Sequence, residues 1–238
     1  MAKVPARSGR RRVLPRPRST PAARRPASST GTPATEAWRQ RALDGEPPPT
    51  KDEFERLFDR TWVPVAFPDA ESEESYRRRR RTMIDKFWAD ELARPSEVLE
   101  EELDFVLVID PGDGSPAVRV KGSIDRLDRT ASGGVEVIDY KTGNPESQKS
   151  VGENLQLSIY ALACRDELGL GVPERVTLYF TESAQRLSTT RTDEQLEAAR
   201  VDLLARAARI RSGDFAATPG EACRYCDYRA MCPERKEG

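Results

Sequence analysis

The sequence predicts one α/β domain with the order helix, three-stranded antiparallel meander, helix, strand, helix. Two observations carry this prediction: apolar residues alternate with polar ones from about residue 99 to residue 141, and apolar residues recur at helical spacing on both sides of that stretch. The length of 238 residues allows one domain with a tail. We therefore expect a domain over residues 38–238, preceded by a tail.

Residues 1–37 consist mostly of Pro, Arg, Ala, Ser and Thr, and are expected to be a disordered basic tail because they offer little apolar surface to bury. They carry nine Lys or Arg and a single acid, Glu36, so the remainder holds a net charge of −9 in a chain whose total is −1. Any nucleic-acid contact must then come from a local groove or from the tail. The tail is either a loose basic arm for phosphates or a segment without a selected role.

The remaining composition excludes two classes of protein. Four cysteines in a chain of this length do not form a disulfide scaffold. No apolar run reaches the ~18 residues that a membrane span needs, so we expect a cytoplasmic protein without membrane contact.

Two helices are predicted before the strands. Thr50-x-x-Glu53 is a capping-box pattern, followed by Phe54 and Leu57 at helical spacing. A second helix is indicated from Tyr76 to Leu92. It contains five consecutive arginines, 77–81, which form either a patch for the DNA backbone or a solvated helix face.

The meander and the elements after it follow from changes of periodicity and from turn residues. Strands are predicted over 99–109, 117–129 and 135–141, separated by a Pro/Gly-rich turn and by a loop that contains Gly133 and Gly134. The later predictions are a helix over 154–168, strands over 175–181 and 186–190, and a helix capped by Thr192-x-x-Gln195 that ends near 212.

The second and third strands bring two acids together. If Arg129 faces Val135 across the loop, the antiparallel register places Asp125 opposite Asp139. Lys141 returns to the face of Asp139 two residues later. Like charges at this distance need compensation, which a bridging divalent cation provides. The alternative is a pair of solvated acids with Lys141 as their ion-pair partner.

The faces on which further side chains lie are predicted from their spacing in the sequence. Gln156 and Tyr160 lie four apart and therefore share one helix face, although on that pattern alone they are a surface amide and an amphipathic helix residue. Asp128 lies on the opposite strand face from Asp125, so we exclude it from the metal ligands and expect it to pair with Arg126 or Arg129.

The combination Gly122-x-x-Asp125-Arg-x-Asp128, Asp139-Tyr-Lys141-Thr-Gly143 and Gln156-x-x-x-Tyr160 resembles the RecB-type branch of the PD-(D/E)XK nucleases. The resemblance implies a restriction-endonuclease-like core. It also implies that Asp125, Asp139 and the carbonyl of Tyr140 hold Mg²⁺ or Mn²⁺, and that Lys141 steadies a hydroxide or developing charge. Gln156 would orient the phosphate or the water, and Tyr160 would contact DNA or support Gln156.

Three cysteines stand in the tail 219–238, as Cys223-x2-Cys226-x5-Cys232. Thiolates at this spacing suit zinc or an iron–sulfur cluster. The tail resembles the 4Fe–4S tail of the AddB-like and CRISPR-adaptation members, which implies a cluster here. The fourth ligand is not identified, because Cys164 has the sequence context of a small buried residue.

The resemblance further implies an upstream cysteine and an upstream metal-binding histidine, yet the sequence contains no histidine. We therefore expect that the chain begins inside the domain. The expected function is a metal-dependent DNA exonuclease domain in double-strand-break repair, with a helicase subunit or domain as a partner. The alternatives are a catalytically impaired, truncated DNA-binding or scaffold protein, and a zinc-binding interaction module, against which the two acids and the lysine argue.

Overall fold

A computed structural model describes residues 40–41, 44–47, 49–60, 69–94 and 96–234. The predicted tail 1–37 lies outside these residues. The elements are α1 Lys51–Arg60, α2 Ala70–Ala93, β1 Glu97–Ile109, β2 Val118–Arg129, β3 Val135–Lys141, α3 Gln148–Glu153, α4 Leu155–Asp166, β4 Arg175–Phe180, β5 Gln185–Thr189, α5 Asp193–Arg211 and a 3-10 helix Glu221–Tyr225.

The strands form one mixed sheet in the order β1-β2-β3-β4-β5. Strands β1, β2 and β3 form the predicted antiparallel meander, β3 and β4 run parallel, and β4 and β5 are antiparallel. A parallel pair needs a crossover connection, and α3 and α4 supply it. The predicted α/β order of elements is thus confirmed.

The β2–β3 hairpin has the predicted register, with Arg129 opposite Val135 and Arg126 opposite Ile138. Its loop closes through hydrogen bonds between the backbones of Thr130 and Gly134 and from Gly133 N to Thr130 O. Gly133 has a φ of 89°, a conformation that a side chain would strain. The turn chemistry therefore fixes which residues of β2 and β3 meet.

Helices cover both faces of the sheet. The front face, which carries Val137, packs against α4 and α5, and the back face, which carries Ile138 and Tyr140, packs against α1 and α2. Because both faces are covered, β3 is apolar over most of its length rather than strictly alternating. The front-face core is the larger of the two.

The helix starts follow from capping. In α1, Thr50 and Glu53 bond each other's backbone amides as the capping box predicts. Thr192 and Gln195 do the same for α5. The short helix α3 was not predicted, because Val151 is the one apolar residue among its six. Its N-cap Ser147 and the complete burial of Val151 account for it.

A buried ion network joins α2 to the back face of the sheet. It consists of Asp90, Glu91, Arg126, Asp128 and Arg186. Arg126 donates to Asp128 at 2.7 Å, to Glu91 at 3.0 Å and to the Tyr140 hydroxyl at 3.1 Å. Asp128 therefore pairs with Arg126, as expected from its strand face.

Four of the five consecutive arginines of α2 make ion pairs with acids of the described residues. Arg77 and Arg78 pair with Glu73 and Glu74, Arg79 pairs with Glu182, and Arg80 pairs with Asp59. The first two pairs lie within α2, and those of Arg79 and Arg80 join α2 to other parts of the chain. None of the helices that the structure describes is both long and apolar enough to cross a membrane.

Candidate active site

Asp139, Lys141, Gln156 and Tyr160 form a closed ring of contacts on the front face. Lys141 Nζ lies 2.5 Å from Asp139 Oδ2 and donates to Gln156 Oε1 at 2.9 Å. Gln156 Nε2 donates to the Tyr160 hydroxyl at 2.7 Å, and that hydroxyl donates to Asp139 Oδ1 at 2.9 Å. Because an ammonium can only donate and a carboxylate can only accept, the direction of each bond is determined.

The ring exists because three local structures converge. Strand alternation puts Asp139 and Lys141 on one face of β3, and the i,i+4 spacing puts Gln156 and Tyr160 on one face of α4. The packing of α4 on the front face then brings the two pairs together. Asp139 is 2% exposed, so its charge is held by this ring rather than by solvent.

Asp125 stands beside the ring on β2. The regular β2–β3 pairing ends at Arg126 and Ile138, and Asp125 Oδ2 accepts a hydrogen bond from Tyr140 N at 2.9 Å. Burial raises the pKa of Asp125, and the charge of Asp139 is the second cause. Together they raise it to about 6. The two carboxylates thus interact unfavourably when both are ionised.

The Tyr140 carbonyl belongs to the same edge of the site. The carbonyls of Val135 and Lys141 accept hydrogen bonds from the amides of Glu174 and Thr181, which flank β4, at 2.9 Å each. Backbone groups alternate in direction along a strand, so those of Tyr140 point towards β2. There its amide meets the Asp125 carboxylate.

The family of the chain follows from a sequence comparison. The profile of the PD-(D/E)XK nuclease superfamily matches residues 19–233. The chain belongs to this superfamily. Its members are generally hydrolytic nucleases that act on DNA and commonly use Mg²⁺ or Mn²⁺.

Two other comparisons add little to this assignment. The solved structure of SSO0001 aligns over 68% of this chain and 78% of its own, with 18% sequence identity and a TM-score of 0.40. A likeness of that size supports no argument about this chain. Among curated proteins, no sequence matches.

Gly122, the first residue of the predicted motif, makes room for the ring of a neighbouring side chain. It lies opposite Phe105 in the β1–β2 pair, and an added Cβ would meet the Phe105 ring at 2.5 Å. Phe105 packs edge-on against Tyr160, with 6.1 Å between ring centres. Gly122 therefore leaves space for the Phe105 ring in the position where that ring packs against Tyr160.

Glu102 was not predicted, although it lies near the acids. The β1–β2 register pairs Glu101 with Arg126 and Leu103 with Ile124, so Glu102 faces Asp125. Its φ of 46° departs from strand geometry, and its charge contributes to the raised pKa of Asp125. The loop between β1 and β2 does not define their register in the sequence, so periodicity alone could not have found Glu102.

The cysteines do not join this site. Cys223 and Cys232 are partly exposed, Cys226 is exposed, and Cys223 Sγ accepts a hydrogen bond from Gly220 N at 3.4 Å. Cys164 lies in the front-face core, where burial raises the pKa of its thiol to about 12. A fully buried thiol of this kind is poorly suited to complete a ligand set with the tail.

The carboxylates fit a hard divalent cation of the kind used by this superfamily. Asp139 Oδ2 is buried and receives no hydrogen bond of acceptable geometry from the described residues, although the Lys141 ammonium is close to it. Asp125, Asp139 and the Tyr140 carbonyl offer oxygen ligands, which Mg²⁺ and Mn²⁺ prefer. Within the described ranges, no three His, Cys, Asp or Glu side chains are gathered as a metal site.

Metal affinity should depend on pH through Asp125. Because its pKa is raised to about 6, its carboxyl is mostly protonated below that pH and a cation that binds to it would displace a proton. The Kd should then rise about tenfold per pH unit below about 6 and level off above it. Mn²⁺ titration between about pH 5 and pH 8 measures this. Without metal, the raised pKa makes ionised Asp125 destabilising, a penalty that grows between pH 3.8 and about 6. A Kd for Mn²⁺ that does not change between about pH 5 and pH 8 would contradict a role of Asp125 as a ligand.

Proposed function

We propose that the chain is a metal-dependent deoxyribonuclease of the RecB exonuclease type, which hydrolyses phosphodiester bonds during double-strand-break repair. The observation that carries the proposal is the ring of Asp139, Lys141, Gln156 and Tyr160 beside Asp125. It combines paired acids, which attract a cation, with a lysine, which stabilises negative charge.

The chain's own groups divide the chemistry between them. Asp125, Asp139 and the Tyr140 carbonyl would hold Mg²⁺ or Mn²⁺, which when bound polarises the phosphate and lowers the pKa of water. Lys141 offers its ammonium to the hydroxide or to the charge that develops on the phosphate. Gln156 restrains Lys141, and Tyr160 holds both Gln156 and Asp139 in place. The water oxygen forms a bond to phosphorus as the bond between phosphorus and the leaving oxygen breaks. The water loses a proton to solvent, and solvent returns a proton to the leaving oxygen.

The substrate and partners follow from the same proposal. DNA is the substrate implied by membership of the superfamily, and a helicase subunit or domain would be the partner. The RecB-like motifs around Asp125 and Asp139 support this subtype.

The exonuclease proposal is tested with labelled linear DNA and covalently closed circular DNA. We expect release of short products from linear DNA, weakly at ~1 mM Mg²⁺ and faster with Mn²⁺, which binds nitrogen and oxygen ligands more tightly and suits a site without a histidine. Cleavage of the circle at the rate of linear DNA would refute exonuclease action.

A second candidate is a catalytically impaired member that binds DNA as a scaffold. The absence of histidine from the sequence favours it, because the carboxylates beside the ring would then hold a cation without a nitrogen ligand. Retained DNA binding without degradation under Mg²⁺ or Mn²⁺ would decide for it.

We also propose that Cys223, Cys226 and Cys232 bind a 4Fe–4S cluster with a fourth ligand from outside these three. Anaerobic purification followed by iron and sulfide analysis should give less than one cluster per chain, because such clusters need four ligands. Cys164→Ser should leave the iron content unchanged, since this thiol is in the core. Full occupancy that is lost in Cys164→Ser would show that Cys164 is the fourth ligand.

A further inference from the structure

Arg191 is a buried cation that makes no ion pair with the carboxylates of the described residues. Its side chain belongs to a residue that is 6% exposed, in the segment between β5 and α5. Burial lowers the pKa of its guanidinium, and no neighbouring acid opposes that effect. A buried charge without a partner of opposite charge is costly, so the hydrogen bonds of Arg191 must compensate for its burial.

The guanidinium binds the junction between α3 and α4. Nη2 donates to the carbonyl of Asn154 at 3.0 Å and to that of Val151 at 3.3 Å. Nε donates to Ser158 Oγ at 2.8 Å. Nη1 donates to the carbonyl of Thr190, which anchors the group to its own loop. One side chain therefore spans the end of α3 and the first turn of α4.

Gln156 lies inside the segment that Arg191 clamps. Asn154 ends α3 and caps α4 through its side chain, which accepts a hydrogen bond from Leu157 N. Ser158 is midway between Gln156 and Tyr160 in the sequence. A shift of one residue in the first turn would rotate Gln156 by about 100° around the helix axis and remove it from Lys141.

We propose that Arg191 is a positioning residue, which fixes the first turn of α4 so that Gln156 and Tyr160 meet Lys141 and Asp139. Core residues such as Ala161 and Leu162 hold the later turns of α4, and Val151 and Leu157 pack in the same core at the junction. Arg191 adds hydrogen bonds to the backbone carbonyls there, which apolar packing does not supply. A lysine at this position could not replace Arg191. Its single ammonium cannot donate to three acceptors that lie in different directions, as the planar guanidinium does. The inference rests on the proposed nuclease function.

The test compares Arg191→Ala with Arg206→Ala, an exposed arginine of α5 that pairs with Asp202. In Arg191→Ala, kcat should fall at least about tenfold, since misplacements near 1 Å cost up to about 10²-fold. KM and the Kd for Mn²⁺ should stay within about twofold, because the backbone positions of Asp125 and Asp139 are set by the strands β2 and β3 and not by α4. Guanidinium at millimolar concentration should restore part of kcat. Arg206→Ala should match the wild type.

A second readout is independent of turnover. The side-chain amide of Gln156, assigned through the loss of its NMR signal in Gln156→Glu, should shift towards a solvated amide in Arg191→Ala and stay in place in Arg206→Ala. An unchanged signal would overturn the inference, as would an unchanged kcat or a loss confined to metal affinity. If the wild type shows no turnover, the proposed function fails, and the amide signal alone decides the role of Arg191.

Discussion

Replacing Lys141 with methionine should lower the rate of metal-dependent DNA hydrolysis by at least about 10²-fold, the usual effect of removing a group that stabilises developing charge. Asp139→Asn should have a comparable or larger effect, because it changes a carboxylate that we propose as a metal ligand. Both side chains belong to the ring with Gln156 and Tyr160. Initial rates on linear DNA with saturating Mn²⁺ measure the loss.

Two variants serve as controls, one for the loss of a lysine charge and one for the change of an acid on β3. Lys149→Met removes an exposed lysine from α3, and Glu136→Gln changes an acid of β3 on the opposite face from Asp139. Both should keep activity within a few-fold of the wild type, and circular dichroism should show all four variants folded. Wild-type activity in Lys141→Met would remove the lysine from the mechanism.

Arg126→Met should be the most destabilising substitution on the back face. It removes the cation that pairs with buried Asp128 and leaves Glu91 with Arg186 as its arginine partner, and breaking such a buried pair costs about 3–5 kcal/mol. Urea denaturation measures the free energy of unfolding. The effect should also reach the active site, because Arg126 contacts the hydroxyl of Tyr140.

The control for this prediction is Arg129→Met on the same strand. Arg129 pairs with Glu97, and both side chains are largely exposed, so its loss should cost no more than about 1 kcal/mol. Equal free energies of unfolding for the two variants would show that the buried network does not stabilise the fold.

The local parts of the fold could be predicted from the sequence. The hairpin register follows from the loop with Gly133 and from strand alternation, and it was enough to bring Asp125 near Asp139. The capping boxes at Thr50 and Thr192 located two helix starts. These features depend on neighbours within a few residues, which is the range that periodicity and spacing report.

The distant contacts could not be predicted. Arg186 reaches Asp90 across 96 residues, and Arg191 reaches Ser158 across 33. Such partners depend on how α2 and α4 pack on the sheet. The apolar pattern of either helix does not predict that packing. The ring was predictable as two pairs, Asp139 with Lys141 and Gln156 with Tyr160, but its closure depends on the placement of α4. The site residues themselves stay predictions until they are tested.

The most direct test of the account is a Mn²⁺ titration, followed by the electron paramagnetic resonance signal of the free ion, at a pH above that at which Asp125 titrates. The wild type and Glu136→Gln should each bind a cation at the site with equal affinity. Asp125→Asn and Asp139→Asn should bind it at least about tenfold more weakly, the usual cost of altering a metal site. Unchanged affinity in both asparagine variants would contradict the claim that these two carboxylates hold the catalytic metal.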